Sequence, residues 1–366
     1  GQQNMRVKLP YQGDVLVKVG DEVNPQTIIG ENKYAPPRIY VISLFDKPYL
    51  NLTPETIGES LRISKGQEVR RGQRIVEIGK KKIMDELKFQ HFFFDSPVRG
   101  MVEKINHNSG TIIMREIQDY SNKPKTINGA KTLNIKPKLL PRYLSRKVGD
   151  FVYSDDVLGK ILLDSHKAKV PLVLNAPTTG TITEINKETG NITIQYNQKS
   201  VRQSAGIFGK IESIEPGVSA NISYQGSTLF GIIGFGKERT GKLHFIGNAS
   251  EIANCRANEI AVISSKITIK TLKQASQQKL AGIIAASIDN SDLVDFIGKE
   301  IGVALTGNED IPFPLIITEG FGNFTLNDKY LKFFQENNGK TAFINGHTQI
   351  RAGVTRPKII VCDNEI

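Results

Sequence analysis

Residues 133–152 read LNIKPKLLPRYLSRKVGDFV, and this stretch indicates the fold because residues 50–69 repeat it as LNLTPETIGESLRISKGQEV. The two copies align without a gap and share Leu, Asn, Pro, Leu, Gly and Val at matching positions. A second pair follows: residues 100–114 read GMVEKINHNSGTIIM, and residues 180–194 read GTITEINKETGNITI. Duplication at a spacing of about eighty residues predicts a repeated structural unit.

Two kinds of module recur in the first 250 residues. The front module has apolar residues around a glycine-containing turn, and its copies are residues 16–31, 61–78 and 144–161. The back module begins with glycine and then alternates apolar and polar residues, with copies at Gly100, Gly180 and, in a weaker form, Gly209. The alternation predicts strands with one buried face, and the HNSG and KETG turns place Gly110 and Gly190 where a positive φ is needed.

The order of the modules along the chain is front, front, back, front, back, back. Pairing neighbours joins 61–78 with 97–114 and 144–161 with 177–196, which leaves the first front module to pair with the back module at Gly209. The sequence therefore predicts an N-terminal half-motif and linker (1–60), a first unit (61–120), a second unit (121–200), a third back half-motif that pairs with the N-terminus (201–250) and an α/β domain (251–366). We expect a mainly β chain that ends in a small α/β domain.

The modules resemble the two halves of the barrel-sandwich hybrid, the fold of biotinyl and lipoyl carrier domains. The best match is VGDFVYSDDVLGKI followed by NAPTTGTITEI, between Val148 and Ile185. This resemblance implies tandem and nested lipoyl-like units. In carriers, a lysine at the hairpin tip between the halves is modified, and the corresponding residue here is Lys167, in DSHKA at 164–168. That stretch has an insertion, so a solvated lysine is the alternative to a carrier lysine, and no cofactor is predicted. Barrel-sandwich units also serve as spacers and docking modules in membrane-fusion adaptors, RNA polymerase and ion-pumping complexes.

The positive charge is concentrated in the repeats. The net charge is +11; residues 1–250 carry 36 Lys and Arg against 24 Asp and Glu, whereas residues 251–366 carry 12 against 13. Residues 123–147 contain eight basic residues and no acidic one. We predict a basic binding face that consists of Lys136, Lys138, Arg142, Arg146, Lys147, Arg70, Arg71 and Arg74. Such a face is typical of contact with phosphates or an acidic partner, and a solvated basic surface is the alternative.

The last third of the chain alternates apolar runs with helical patterns. Residues 281–288 (AGIIAASI) are typical of a buried parallel strand, residues 271–280 and 291–300 of helices, with Ser291 as N-cap, and residues 327–338 of a helix ended by Gly339. Turns after strands often bind ligands in α/β sheets. The candidate ligand pocket consists of Asp310, Glu319, Gly320, Gly322, His347, Gln349 and Arg351. No metal triad, Ser-His-Asp order or phosphate loop accompanies these residues, so no catalytic residue or metal ligand is predicted, and structural turn chemistry is the alternative.

Most of the chain also resembles an uncharacterised multidomain bacterial family with KOW-like segments, through LAGII at 280–284, LIITEGFG at 315–322 and INGHTQIRAGVTRP at 344–357. The family implies a fold but no established activity. We expect a non-catalytic binding or scaffold protein, acting as a structural subunit or adaptor through a protein partner or self-assembly, with RNA or DNA binding through the basic face as the alternative. An enzyme that uses Glu319 or His347 is a third hypothesis.

Two further features bear on location and redox chemistry. No apolar run is long enough to span a membrane, and the cysteines, Cys255 and Cys362, are typical of small buried side chains. We expect a cytoplasmic location, with an envelope or secreted location as the alternative because the chain begins with Gly1 rather than Met.

Overall fold

The computed structural model describes residues 1–79, 91–165, 168–298, 311–347 and 355–365. It divides into two compact units, one formed by residues 1–32 and 201–366 and the other by residues 33–200. Strands dominate over helices, which confirms the predicted mainly β class. None of the helices formed by the described residues has the length and apolar character that a membrane crossing requires.

The strands of the repeat region follow one another with short turns. In chain order they are β1 (Gln2–Lys8), β2 (Asp14–Val15), β3 (Glu22–Val23), β4 (Ile28–Asn32), β5 (Ile39–Ser43), β6 (Glu68–Val69), β7 (Arg74–Ile78), β8 (Phe92–Asp95), β9 (Gly100–Asn106), β10 (Thr111–Arg115), β11 (Lys125–Asn128), β12 (Phe151–Val152), β13 (Val157–Ser165), β14 (Ala168–Asn175), β15 (Gly180–Ile185), β16 (Asn191–Gln195), β17 (Val201–Ser204), β18 (Gly209–Glu215) and β19 (Ser219–Phe230). Three short helices interrupt them: α1 (Ile57–Ser60), α2 (Gly129–Leu133) and α3 (Leu140–Tyr143).

These strands form the same two-layer arrangement three times, and we name the copies repeat A (residues 1–32 and 201–225), repeat B (39–115) and repeat C (125–196). One layer has four strands, in the order β1-β19-β18-β3 in repeat A, β5-β10-β9-β6 in repeat B and β11-β16-β15-β12 in repeat C. The other layer consists of β2-β4-β17 in repeat A, β7-β8 in repeat B and β13-β14 in repeat C. Isolated bridges between Leu61 and Val76 and between Leu144 and Gly159 take the place of β2 in repeats B and C.

The equivalence of the three repeats extends to single backbone hydrogen bonds. A glycine with positive φ precedes β3, β6 and β12, and its N–H donates across the layer to the back hairpin at 2.8 Å. The three bonds run from Gly20 to Ile211, from Gly66 to Val102 and from Gly149 to Ile182. Each back hairpin also has one extra residue at the same place: Glu212, Glu103 or Thr183. Such a bulge bends and twists its hairpin, so all three hairpins deviate from a regular ladder at the same position.

Repeat A is discontinuous in sequence. Its front strands β1–β4 come from the start of the chain, and β3 pairs with β18 through Val23 and Gly209. Strand β4 pairs with β17 through Asn32 and Val201, where the chain leaves repeat A and returns to it. Repeats B and C therefore lie between the two halves of repeat A in the sequence.

The α/β part of the chain continues from repeat A. Its strands are β20 (Ile233–Phe235), β21 (Arg239–Ile246), β22 (Glu259–Ile267), β23 (Gly282–Ile288), β24 (Leu315–Phe321), β25 (Thr341–Asn345) and β26 (Lys358–Cys362), and its helices are α4 (Ile269–Gln277), α5 (Asn290–Ile297) and α6 (Asp328–Glu336). The sheet order is β20-β24-β23-β22-β21-β25-β26-β19. Strands β21 to β24 are parallel, β25 and β26 are antiparallel to their neighbours, and β20 and β21 precede residue 251.

The long strand β19 joins repeat A to the α/β sheet. Its first part pairs with β1 and β18, and its second part pairs with β26. The core of repeat A accordingly includes Phe343 from β25 and Ile360 from β26. This shared strand and shared core make repeat A and the α/β domain one folded body, in agreement with the extent of the compact unit.

Helices cover both faces of the parallel strands. Residues of α4 and α5 pack on one face, α6 packs on the other, and every residue of β23 is buried, as its continuous apolar run predicts. The predicted N-cap at Ser291 is wrong: α5 begins at Asn290, with Asp289 in the N-cap position. The Asp289 carboxylate makes an ion pair with Lys266 rather than a cap hydrogen bond, so the N-cap position is not marked by local capping chemistry.

Candidate functional site

The predicted basic face lies mainly in repeat C. Its five residues there follow α2 and lie in or beside α3, and all five side chains are exposed: Lys136, Lys138, Arg142, Arg146 and Lys147. Arg146 lies 4.0 Å from the Asp156 carboxylate. The other four have no acidic partner within 4.0 Å among the residues that the structure describes. Short helices and turns thus display free cations on repeat C, while apolar residues such as Leu133 and Leu140 anchor the segment in the core.

The predicted basic residues of repeat B are mostly engaged. Arg74 donates from Nε to Asp95 at 2.8 Å, and its guanidinium lies 3.8 Å from the ring centre of Phe93. Arg71 pairs with Asp155 of repeat C at 3.1 Å. Only Arg70 is exposed and without an acidic partner in the described part of this turn. The free positive charge is therefore concentrated on repeat C.

The described members of the predicted α/β pocket lie at two different edges of the sheet. Glu319, Gly320 and Gly322 are at the carboxyl end of β24. His347 follows β25, which is antiparallel to β21 and so ends at the edge where the parallel strands begin. Asp310, Gln349 and Arg351 lie outside the described residues, as does the candidate carrier lysine Lys167.

The Glu319 carboxylate has a structural partner. Its Oε1 accepts hydrogen bonds from the backbone N–H and the side-chain amide of Asn327, both at 2.9 Å. Asn327 in turn caps α6, because its Oδ1 accepts from the N–H of Tyr330 at 2.9 Å. Gly320 and Gly322 have φ of +112° and +127°, where side chains are strained. This group fixes the turn that starts α6.

His347 lies beside an open pocket of about 400 Å³. Gln203, Glu238 and Asn345 also line this pocket. The Gln203 amide donates to Glu238 at 2.5 Å, and the His347 N–H donates to Asn345 at 2.9 Å. Polar side chains line this open pocket. Among the described residues that line it, no nucleophile is hydrogen-bonded to a general base. No group of three or more His, Cys, Asp or Glu in the described ranges has the arrangement of a metal site.

A buried polar junction joins repeats B and C. The side chain of Glu116, which directly follows β10, is only 7% exposed. Its Oε1 accepts from the hydroxyl of Thr179 at 2.7 Å, and its Oε2 accepts from the N–H of Arg38 at 3.1 Å. Thr179 also accepts from the N–H of Ser154 at 2.9 Å. A cavity of about 220 Å³ borders these residues.

Tyrosine rings surround this junction. Tyr120 lies 4.9 Å from Tyr34 and 4.8 Å from Tyr196 between ring centres, and the N–H of Ala35 donates to the Tyr196 hydroxyl at 2.6 Å. Burial raises the pKa of Tyr120 well above its ordinary value, and the neighbouring Glu116 carboxylate adds to that increase. Its buried hydroxyl has no hydrogen-bond partner within 3.5 Å among the described residues.

The junction is not among the sites predicted from the sequence. Its residues come from connecting segments at 33–40, 116–120 and 177–179, each of which reads as an ordinary linker. The one available signal is the tyrosine content: Tyr34, Tyr40 and Tyr120 lie in these segments. Tyr153 and Tyr196 of repeat C contact them through hydrogen bonds to Pro36 and Ala35. The buried Glu116 carboxyl group and the clustered rings here connect repeats B and C.

No protein-family model matches this sequence, and no curated protein is significantly similar to it.

Proposed function

We propose that this protein is a non-catalytic binding or scaffold protein, a structural subunit or adaptor whose three repeats are barrel-sandwich hybrid units. The observation that carries the proposal is the threefold recurrence of one layer order, one glycine hydrogen bond and one bulge. Repetition of one unit supplies several similar surfaces in a single chain, which is what a spacer or adaptor needs. The proposal includes membership of the KOW-containing bacterial family named above.

The buried junction between repeats B and C supports a scaffold role. Glu116, at the end of β10, accepts a buried hydrogen bond from Thr179 of repeat C. Ion pairs from Arg38 to Asp156 and from Arg71 to Asp155 also join the two repeats. Paired buried polar groups restrict relative motion, because separating the repeats would leave the Glu116 carboxylate without the Thr179 hydroxyl in a desolvated site. The two repeats are thereby held at a fixed orientation.

RNA or DNA binding is the second candidate function, supported by the exposed cations of repeat C that lack acidic partners. Phosphate contacts of this kind give an affinity that decreases steeply with salt. Charge reversal at Arg142 and Lys147 is expected to abolish such binding. Lys187→Glu is the matched control, because Lys187 is also an exposed lysine of repeat C but lies outside this segment.

Native mass spectrometry of the protein purified from its own host, with light scattering at low and high salt, tests both candidates. A defined oligomer or protein complex that persists at high salt supports the scaffold. A monomer without a partner at both salt concentrations contradicts it. Co-purifying polynucleotide that high salt removes supports the second candidate instead.

An enzymatic role has a direct test of its own. Glu319→Gln and His347→Ala are expected to leave any cellular function intact, because Glu319 fixes a helix start and His347 lies beside an open pocket at the other edge of the sheet. Loss of function in both variants, with folding retained, would contradict the non-catalytic proposal.

A further inference from the structure

The hairpin formed by β13 and β14 in repeat C has an unusual outer face. Lys160 lies opposite Val173, and Leu162 lies opposite Pro171. All four side chains are exposed, with Leu162 at 62% and Val173 at 38%, and Val157 at the base of the hairpin is 46% exposed. We name these five residues the ribbon face. A cluster of exposed aliphatic side chains on a regular strand pair indicates a contact surface.

Repeat A offers an internal comparison, because the equivalent positions can be read from the strand register. The bridge from Leu144 to Gly159 corresponds to the pair Val15–Gly30, so Lys160 of repeat C corresponds to Glu31 of repeat A. Glu31 lies opposite Arg202, and their side chains make an ion pair at 3.8 Å. Repeat A therefore has a charged pair where repeat C has lysine opposite valine.

Repeat B also has charged side chains in ion pairs at the same position. Its equivalent of Lys160 is Glu77, which lies opposite Phe93. Glu77 contacts His91 at 2.6 Å, Arg62 at 3.6 Å and Arg74 at 3.7 Å. Repeats A and B thus carry ion pairs at this position. The Phe93 ring in repeat B is 42% exposed but lies 3.8 Å from the guanidinium of Arg74, whereas the described residues of repeat C expose aliphatic side chains there without such a cover. The common fold does not require the apolar face of repeat C.

Exposed cations and an aromatic ring lie next to the ribbon face. The N–H of Ser145 donates to the carbonyl of Leu158 at 2.9 Å, which places the end of α3 against the base of β13. Tyr143 at the end of α3 is 41% exposed, and Arg142, Arg146 and Lys147 around it are exposed. These cations therefore lie in the segment beside the base of β13, and Lys160 lies on the ribbon face itself.

The combination of exposed aliphatic side chains with neighbouring cations favours one kind of binding partner over the others. A second copy would bring Lys160 and its neighbouring cations against the same cations, which is unfavourable. A nucleic acid would satisfy the cations but would leave Leu162, Val157 and Val173 without apolar contact, since base stacking uses aromatic rings. Addition of a strand is blocked at the hairpin base, because Leu144 pairs with β13 there and α2 packs against β14. An anionic membrane surface satisfies both the aliphatic and the cationic side chains.

We propose that the ribbon face and its adjacent cations dock repeat C onto an anionic membrane surface. The inference rests on the proposed binding role and names a partner for it. Lys160, Arg142, Arg146 and Lys147 would lie at the headgroups, and Leu162, Val157 and Val173 would enter the interface. Each basic residue near such a surface strengthens binding about fivefold, and apolar burial adds to this.

Co-sedimentation of the full chain with vesicles tests the proposal. The probes are vesicles of phosphatidylcholine alone and of phosphatidylcholine with phosphatidylserine, at low and high salt. The key variant is Lys160→Glu with Val173→Arg, which installs in repeat C the charged pair that repeat A already tolerates. The apolar variant is Leu162→Ser. Lys187→Gln is the charge-matched control, since it also removes one positive charge from an exposed site of repeat C.

We expect binding to phosphatidylserine vesicles that weakens at high salt. The double variant should lose about tenfold in affinity or more, and Leu162→Ser should lose several-fold, whereas Lys187→Gln should change it less than either. Absence of wild-type binding, or equal binding by all variants, overturns the proposal. A dimer that only the double variant disrupts would assign the face to a second copy and also overturn it. Failure on vesicles with a persistent high-salt complex in native mass spectrometry would refute the membrane partner and leave the scaffold proposal in place.

Discussion

The junction between repeats B and C gives the sharpest stability prediction, through Thr179→Val. Valine retains the shape of threonine but removes the hydroxyl that donates to Glu116 at 2.7 Å and accepts from Ser154 at 2.9 Å. Thr179 is 1% exposed, and a valine side chain offers neither Glu116 nor Ser154 a replacement partner. A hydrogen bond to a charged group contributes about 1.5–3 kcal/mol, and a buried orphaned N–H costs about 1–3 kcal/mol. We expect the unit formed by residues 33–200 to lose about 3 kcal/mol of stability.

Tyrosine signals make this loss measurable. The chain has no tryptophan, and five of its ten tyrosines lie at or beside the junction, so near-ultraviolet circular dichroism during urea unfolding reports on it. Thr126→Val is the matched control, because Thr126 is exposed and its hydroxyl makes one hydrogen bond, to the Thr193 hydroxyl at 3.1 Å, among the described residues. The control should change stability by less than about 0.5 kcal/mol. If Thr179→Val costs no more than the control, the buried network does not hold the two repeats together.

Three further predictions follow from groups described above or buried elsewhere. Burial raises the pKa of Tyr120 in the folded protein, whereas in the unfolded chain this side chain ionises near pH 10. The contribution of Tyr120 to the free energy of unfolding should therefore be fully present below about pH 10 and decrease as the pH rises above that value, as measured by urea unfolding. Burial also raises the pKa of the Cys255 thiol to about 11, so iodoacetamide at neutral pH should label it only after denaturation, and rapid labelling of the native protein would contradict its buried position. Gly190→Ala should cost more than about 2 kcal/mol, because it combines φ of +78° with a Cβ only 2.3 Å from that of Ala130. Gly217→Ala has a similar φ of +73°, but its new Cβ meets its nearest atoms, on a glutamine side chain and a backbone carbonyl, only at 3.2 Å, so it should cost less. Equal thermal shifts for the two variants would contradict this reasoning.

The repeated turns could be predicted from the sequence because their chemistry is local. Glycine is needed where φ is positive, and the three front modules each have one at the corresponding place: Gly20, Gly66 and Gly149. Alternating apolar residues likewise identify the back hairpins and the mainly β class. The pairing of β3 with β18 could not be predicted from local chemistry, because the two strands are far apart in sequence. It could be predicted only from the order of the modules, which leaves the first front module and the last back module without neighbours to pair with.

The functional surfaces were harder to predict because they depend on strand direction and on contacts between repeats. The polar residues around Glu319 and after β25 were predicted to form one pocket. However, β25 runs antiparallel to β21, so the end of β25 lies at the edge of the sheet opposite to Glu319. Nothing in the sequence around His347 marks that direction. Glu116 and Thr179 each follow an ordinary strand or turn, and their pairing exists only when repeats B and C meet. Charge runs were visible, but the ion pairs that neutralise Arg71 and Arg74 were not.

The discontinuity of repeat A has a consequence for synthesis on the ribosome. Strands β1–β4 emerge first, yet their partners β17–β19 emerge only after all of residues 33–200, which form a complete unit of their own. At translation rates of about 5–20 residues per second, the early strands wait for roughly ten seconds or more. During that interval the first suitable back hairpin to appear belongs to repeat B, and it offers the same hydrogen bonds that repeat A will later use. The equivalence of the repeats therefore creates a competing partner for the nascent chain, and we expect exchange of halves between repeats to be its main route of misfolding.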